Sequence, residues 1–207
     1  MPHREAIRRR YGLAGHNDKA MLNAGMTKTG RAGNAWRRRP LGCDPRLRRW
    51  LIDRGSLTQR VQSRCRKFAI KLLRQRFALP CRDERAAVRL RGNEFCLVRE
   101  VSLRCGRAAV VFAHSVIARR NTRSAWRLVT TLGNKSLGAA LFADARVKRQ
   151  GLEFRSLRRA DALYQRAFRS TNDPPLRLWA RRSLFVLRGA RILVTEVFLP
   201  AILALAP

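Results

Sequence analysis

Apolar and polar residues alternate with a period of two in the middle of the chain, which predicts β-strands there. One such stretch covers residues 95–103, a Cys105-Gly106-Arg107 segment has the composition of a turn, and a second stretch covers Ala108–Ala118. Two strands joined by so short a turn predict an antiparallel hairpin. A shorter alternation precedes the hairpin and predicts a further strand, with its apolar side chains at Phe68, Ile70 and Leu72.

The last third of the chain shows the same alternation. Residues 152–157 predict one strand, and a Pro174-Pro175 pair breaks the chain after it. Residues 178–188 and the alternating positions of 192–198 flank a Gly189-Ala190 turn. This segment predicts a second antiparallel hairpin.

Helix signals precede the first strand. An Asp44-Pro45 pair supplies an N-cap followed by a proline suited to the first helical turn, and Gly55 is predicted to end that helix. Ser56 and Gln59 have capping-box spacing, so a second short helix is predicted near Leu57. The outline is that of a helix-turn-helix, but two short helices joined by a glycine also occur in many enzymes and do not by themselves indicate DNA binding.

Two further helices are predicted between the hairpins. Trp126, Val129 and Leu132 fall on one helical face ahead of Gly133, and Ser136 can cap the next helix. Strands paired through short turns, with helices inserted at two places, predict an α+β domain with a single antiparallel β-sheet flanked by helices.

Residues 1–40 differ from the rest because they mix Gly, Asn, Thr and Arg with no sustained period. We expect them to form a flexible basic extension. The predicted elements lie in residues 41–207, which we assign to one domain, long enough to close a substantial core.

The chain is strongly basic, with 46 Lys and Arg against 13 Asp and Glu and a formal net charge of +33. Such an excess raises nucleic acid or an anionic surface as partners. Basic residues nevertheless occur in every complete block of ten instead of forming an arm or tail. We therefore expect no specific nucleic-acid partner, and the codon usage of a GC-rich genome is an alternative origin of the many arginines.

Cysteine and histidine are too scattered to predict a metal centre, because the five cysteines contain no CxxC pair and the three histidines do not stand at ligand spacing from them. The cysteine count is odd and no apolar segment follows the basic N-terminus, so we expect a reducing cytoplasm and no secreted disulfide scaffold. The most apolar stretch, residues 192–206, contains Glu196 and Pro200 and is too short for a membrane span.

Two charged residues, Arg99 and Glu196, each stand between apolar residues of one strand face. A buried guanidinium requires an anionic partner or several acceptors. Three interpretations are open. The two residues form a buried salt bridge with each other, or they lie on an edge strand whose inner face is solvated, or they line a closed pocket. In a pocket, Arg99 would clamp a ligand carboxylate bidentately and Glu196 would face a hydroxyl or a proton in transit.

His114 lies on the neighbouring strand and faces either the same interior or the opposite side of the sheet. A lone histidine among apolar residues is more often structural than catalytic. The chain contains no Gly-rich phosphate loop, no GxSxG elbow and no paired-carboxylate motif. Any chemistry is therefore expected to need no cofactor.

Several segments match one known family in order and spacing. They are Trp50-Leu51 to Leu57-Thr58, Cys96-Leu97-Val98-Arg99-Glu100, Leu132-Gly133-Asn134-Lys135-Ser136-Leu137-Gly138 with Leu141-Phe142, Leu178-Trp179-Ala180-Arg181-Arg182-Ser183, and Thr195-Glu196-Val197-Phe198-Leu199-Pro200. From about Asp44 to Pro200 the chain resembles the chorismate pyruvate-lyase family. That family converts chorismate to 4-hydroxybenzoate and pyruvate at the entry to ubiquinone biosynthesis, on an antiparallel sheet flanked by helices and without metal or cofactor.

The resemblance also implies roles for single residues. Arg99 matches the arginine that holds the ring carboxylate, and Glu196 matches the glutamate at the 4-hydroxyl end. Leu57 and Leu137 match positions whose backbones line the buried site beneath helical flaps. His114 falls where many members carry an arginine, which makes it a further substrate-binding candidate. The implied protein is a monomer that acts on chorismate.

A second function is compatible with the same fold. Ligand-binding domains of some bacterial transcription regulators look similar, so a non-catalytic sensor domain for small carboxylates is the alternative. Those domains normally follow a DNA-binding winged helix, which the irregular residues 1–40 are not expected to supply.

Overall fold

One antiparallel sheet organises the chain. The computed structural model describes residues 36–168 and 175–205, and seven strands lie in this part. They are β1 (Phe68–Ala78), β2 (Cys96–Cys105), β3 (Ala108–Ala118), β4 (Lys148–Arg149), β5 (Glu153–Arg158), β6 (Arg177–Leu187) and β7 (Ala190–Phe198). The strand order is β1-β2-β3-β7-β6, and both β4 and β5 pair with β6. The predicted α+β class with a single antiparallel sheet is confirmed.

Short helices flank the sheet in the described part of the chain. The α-helices are α1 (Pro45–Leu51), α2 (Leu57–Gln62), α3 (Arg82–Ala87), α4 (Leu137–Ala143) and α5 (Ala162–Ala167). Three 3₁₀ helices cover Arg119–Arg123, Arg127–Thr131 and Pro200–Ala204. None of these helices has the length and apolarity needed to cross a bilayer.

The predicted N-caps are confirmed. Asp44 accepts a hydrogen bond from the backbone N–H of Arg46 at 2.7 Å, and Ser136 accepts one from that of Ala139 at 3.0 Å. Ser56 caps α2 in the same way. Each side chain thereby satisfies a backbone donor that has no acceptor within the helix.

Helix α1 ends earlier than predicted, at Leu51 and not at Gly55. The reason lies outside the helix, because the guanidinium of Arg181 donates to the backbone carbonyls of Trp50, Leu51 and Asp53. These bonds satisfy carbonyl groups that are left without partners at a helix end.

Two further predictions are refined. The helix predicted from Trp126, Val129 and Leu132 is a short 3₁₀ helix, Arg127–Thr131, and Val129 is buried as expected. The turn between β6 and β7 consists of Arg188 and Gly189, one residue earlier than predicted. Both turn residues have positive φ angles, of 49° and 76°, which a two-residue hairpin turn with the twist of its strands requires.

Ordered packing begins before residue 41. The backbone of Arg37 exchanges two hydrogen bonds with that of Phe154 in β5, and Pro40 is buried. The guanidinium of Arg182 lies 4.4 Å from the centre of the Trp36 ring. The flexible extension predicted for residues 1–40 lies, up to residue 35, outside the described residues.

The two faces of the sheet carry different helices. One face packs Val101 and Leu103 against Trp50 of α1 and Leu57 of α2, and its far end contacts α4. We call it the pocket face. The opposite face packs against α3 and α5, with Val98 and Phe112 among its buried residues.

The structure contains a disulfide that the sequence did not predict. Cys65, just after α2, is bonded to Cys105 at the end of β2, while Cys43, Cys81 and Cys96 are free thiols. The pairing of Phe68 with Cys105 in neighbouring strands brings the two cysteines together. The bond ties the end of α2 to the sheet. The cytoplasmic location stays a prediction.

Candidate active site

A pocket lies between the pocket face of the sheet and the first turns of α2 and α4. Four of the five residues singled out in the sequence line it, namely Leu57, Arg99, Leu137 and Glu196. Its enclosed volume is about 40 Å³, which is room for roughly three water molecules. The pocket is therefore too small to hold a ring-sized ligand in this conformation.

Strand register places Arg99 and Glu196 on the same face. Arg99 in β2 pairs with Ser115 in β3, and the next inward position of β3, Ala113, pairs with Glu196 in β7. Side chains two residues apart in a strand point to the same side of the sheet. The two charges thus enter the pocket from β2 and β7, with β3 between them.

The Arg99 guanidinium is 2 % exposed and held by backbone carbonyls. Its Nη2 donates to the carbonyl oxygen of Gly133 at 3.1 Å and to that of Lys135 at 2.9 Å. Its Nε is buried and donates to no group in the described part of the chain. Burial lowers the pKa of Arg99, yet arginine stays charged near neutral pH. This cation is therefore fixed in place and has no anionic partner among the residues that the structure describes.

Glu196 pairs with Arg181 and not with Arg99. The Nε of Arg181 donates to the Oε2 atom of Glu196 at 2.6 Å. The interpretation that Arg99 and Glu196 form a salt bridge with each other is therefore wrong. Arg181 is 1 % exposed and also donates to the backbone just after α1. It therefore fixes the Glu196 carboxylate relative to the end of α1.

Arg149 is a further charged residue of the pocket that the sequence pattern did not reveal. Its Nε donates to Ser183 Oγ at 2.9 Å and its Nη1 donates to the carbonyl oxygen of Arg54 at 2.5 Å. The guanidinium lies 5.5 Å from the ring centre of Phe142 and 5.4 Å from that of Phe185. Burial, and then the charge of Arg181, lowers the pKa of Arg149.

His114, the fifth candidate, lies on the opposite face of the sheet and does not line the pocket. It is paired with Glu100 across β2 and β3 and is 1 % exposed. A register shift in the hairpin, where Val110 is the extra residue, turns His114 away from Arg99. Its Nε2 lies 3.1 Å from Glu84 Oε1, and its Nδ1 lies 3.2 Å from Glu100 Oε1.

The two carboxylates keep His114 charged. Burial alone would lower the pKa of His114, but the hydrogen bond with Glu100, the close contact with Glu84 and the charges of both carboxylates raise it to about 9. Burial likewise opposes ionisation of both glutamates, yet their contacts with His114 leave both pKa values below the usual range. Arg74 and Arg166 also face Glu100, at 3.6 and 3.5 Å. This buried cluster joins α3 to the sheet.

We expect the free energy of unfolding to fall as the pH rises above neutrality. The folded-state pKa of His114 is raised from 6.5 to about 9, so its stabilisation is complete below the lower value and is lost as the pH passes the higher one. The contribution is on the order of 3 kcal/mol. Urea unfolding at a series of pH values from neutrality to about 9 measures this loss of stability.

The matched variant for this prediction is His114→Gln, which cannot titrate. It should be less stable than the wild type at neutral pH and should lack the wild-type decline in alkali. An equal decline in both proteins would show that another group causes it.

The chain matches one protein family and several known proteins over most of its length. The family model for chorismate lyase matches residues 35–205. The probable chorismate pyruvate-lyase of Nitrosospira multiformis is 54% identical over 172 residues, which cover 83% of this chain and 96% of that protein. The probable chorismate pyruvate-lyase of Aromatoleum aromaticum is 51% identical over 162 residues, which cover 77% of this chain and 88% of that protein.

Among solved structures, PhnF from Mycobacterium smegmatis matches with a TM-score of 0.51 and 11% sequence identity, over 72% of this chain and 65% of that chain. This likeness concerns the fold alone. The family match spans all seven described strands and both helices that cover the pocket, and the two relatives are identical to this chain at half or more of the aligned positions. The chain therefore belongs to the chorismate lyase family.

Proposed function

We propose that the protein is a chorismate pyruvate-lyase, which eliminates pyruvate from chorismate to leave 4-hydroxybenzoate, the entry to ubiquinone biosynthesis. The observation that carries the proposal is the Arg99 guanidinium, buried in the pocket with its Nε donating to no described group. An unsatisfied buried donor is costly, and more so when it is charged. A ligand carboxylate removes this cost. We expect the enzyme to be a cytoplasmic monomer.

The spacing of the strands suits a para-substituted ring. Arg99 on β2 and Glu196 on β7 are separated by two strand spacings, about 10 Å across the sheet. A ring carboxylate on Arg99 would direct the opposite carbon, with its hydroxyl, toward Glu196. Arg181 keeps the Glu196 carboxylate in one orientation because it binds the Oε2 atom.

The reaction needs orientation more than a strong nucleophile. The C3–O bond of chorismate breaks, the C4 hydrogen leaves as a proton, and the ring becomes aromatic. In a cyclic route the proton passes to the methylene carbon of the enolpyruvyl group and pyruvate forms directly. In an assisted route Glu196 accepts the proton and enolpyruvate departs. Both routes gain from a fixed ring and from cations near the departing group.

Entry of the substrate requires the covering helices to move. The enclosed volume of about 40 Å³ is far smaller than a ring diacid. Leu57 and Leu137 occupy the first positions of α2 and α4, and a Cβ atom built on Gly138 would lie 3.3 Å from Thr58 Oγ1. The two helices thus meet above the pocket, and their separation would open it.

The direct test is incubation of the purified protein with chorismate. We expect 4-hydroxybenzoate and pyruvate to appear in equal amounts. Protein that is folded by circular dichroism yet forms neither product would overturn the proposal, and binding of 4-hydroxybenzoate without turnover would indicate a sensor domain instead.

A further inference from the structure

The pocket contains more positive charge than its own carboxylate can balance. Three guanidinium groups line it, from Arg99, Arg149 and Arg181, and the exposed Lys135 lies at its rim, but Glu196 is the one carboxylate among its described lining residues. Arg181 and Glu196 form a pair. The charges of Glu196 and Asp53 act on Arg149 from a distance, but within residues 36–168 and 175–205 no carboxylate lies at ion-pair distance from Arg99 or Arg149. Two buried or half-buried cations therefore remain for a ligand with two negative charges.

Arg149 is held in a fixed position. Ser183 binds its Nε and the Arg54 carbonyl binds its Nη1, while two aromatic rings lie against the guanidinium. Its Nη2 donates to no group in the described part of the chain, and an arginine has five N–H donors in all. Donors remain for a ligand carboxylate, and little side-chain entropy is left to lose on binding.

Arg149 and Arg99 lie at opposite ends of one row across the sheet. Arg99 shares the row with Ser115, Val194 and Ser183, through consecutive strand pairs. Arg149 binds Ser183 at the far end of this row, about three strand spacings or 14 Å from β2. Glu196 lies between them on the adjacent inward position of β7.

We propose that Arg149 binds the enolpyruvyl carboxylate of the substrate and so makes the pocket selective for diacids over ring monoacids. The inference rests on the proposed lyase function. Chorismate carries one carboxylate on the ring and the other on the ether group next to the hydroxyl carbon. With the ring carboxylate on Arg99 and the hydroxyl at Glu196, the ether carboxylate extends toward Arg149. This assignment also supplies a cation for the carboxylate that His114, on the opposite face, cannot reach.

The test compares a diacid with a monoacid in the Arg149→Gln variant. The probes are 3-(1-carboxyvinyloxy)benzoate, a stable aromatic diacid, and 4-hydroxybenzoate, measured by titration calorimetry. We expect the affinity for the diacid to fall about 30-fold or more, with the affinity for 4-hydroxybenzoate changed less than about threefold. The matched control is Lys148→Gln, which removes the same charge from the adjacent exposed residue and should change neither affinity.

A second variant guards against a folding defect. Arg149→Lys keeps the charge but cannot form bidentate hydrogen bonds, and it should retain part of the preference for the diacid. The inference would be overturned if both variants lost affinity for the two ligands equally, or if a folded Arg149→Gln protein kept its full affinity for the diacid. Wild-type protein that prefers the diacid but forms no product from chorismate would overturn the proposed lyase function and leave the role of Arg149 intact.

Discussion

Replacement of Arg99 by alanine is expected to weaken the binding of chorismate and of 4-hydroxybenzoate by roughly 30-fold to several thousandfold. When a ligand carboxylate loses its buried charged partner, the binding free energy typically weakens by about 2 to 5 kcal/mol. Both ligands should be affected because both carry the carboxylate on the ring. This pattern differs from the selective loss of diacids expected when Arg149 is changed.

The fold should survive the loss of Arg99. Its described hydrogen bonds go to the backbone carbonyls of Gly133 and Lys135, and the Glu196 carboxylate retains Arg181. Truncation therefore leaves no buried carboxylate unpaired, which is the situation that destabilises most strongly. Thermal melts should show a modest decrease, while calorimetric titration with 4-hydroxybenzoate shows the large loss of affinity.

The matched control for Arg99 is Arg76→Ala. Arg76 is exposed on the adjacent strand β1, so its removal lowers the net charge equally without touching the pocket. Affinity in this variant should match the wild type. Unchanged affinity in a folded Arg99→Ala protein would exclude Arg99 from the ligand site.

The sheet and part of the site were predictable because they depend on local patterns. Alternation revealed the hairpins, and capping side chains revealed the starts of three helices. Arg99 and Glu196 were conspicuous because each is a charge on an apolar face, and a charge there needs a reason. Leu57 and Leu137 came from the family resemblance, since nothing in their own side chains marks them.

The partners of the buried arginines could not be predicted because they are distant in the chain. Arg181 binds the carbonyls of Trp50 and Leu51, which are about 130 residues away. Arg149 binds the carbonyl of Arg54, 95 residues away. Backbone carbonyls carry no sequence identity, so no pattern of residue types identifies them as partners. The local sequence does not mark Arg181 either, because its neighbours on the same face of β6 are Trp179 and the polar Ser183.

The position of His114 depended on one residue of register. An unbroken hairpin closed by Cys105 and Ala108 would place His114 directly opposite Arg99 and therefore on the pocket face. The extra residue at Val110 pairs His114 with Glu100 instead. A one-residue shift moves every later side chain to the other face of the sheet, and periodicity alone does not locate such a bulge.

Glu196→Gln is expected to lower turnover far more than affinity for 4-hydroxybenzoate. Glutamine keeps the shape and one acceptor oxygen for Arg181 but loses the charge and the ability to accept a proton. Assistance by a positioned carboxylate is worth about 10²- to 10⁴-fold in rate. A loss in this range favours the assisted route, and a smaller loss favours the cyclic transfer in which Glu196 only orients the hydroxyl.

The control for Glu196 is Glu153→Gln on β5. Glu153 accepts a hydrogen bond from Arg182 Nε at 2.7 Å, the same kind of pair as that of Glu196 with Arg181, but it does not line the pocket. This variant makes the same change of charge and should turn over chorismate normally.

Stability and turnover must be measured on the same preparation of Glu196→Gln, because the substitution also leaves the buried Arg181 without an anion. A purely structural carboxylate predicts lower stability with normal turnover per folded molecule. A carboxylate that acts on the substrate predicts reduced turnover per folded molecule, with 4-hydroxybenzoate still bound. Unchanged turnover would remove Glu196 from the mechanism, and because Arg99 has its own hydrogen bonds to Gly133 and Lys135, the carboxylate site at the other end of the pocket would still stand.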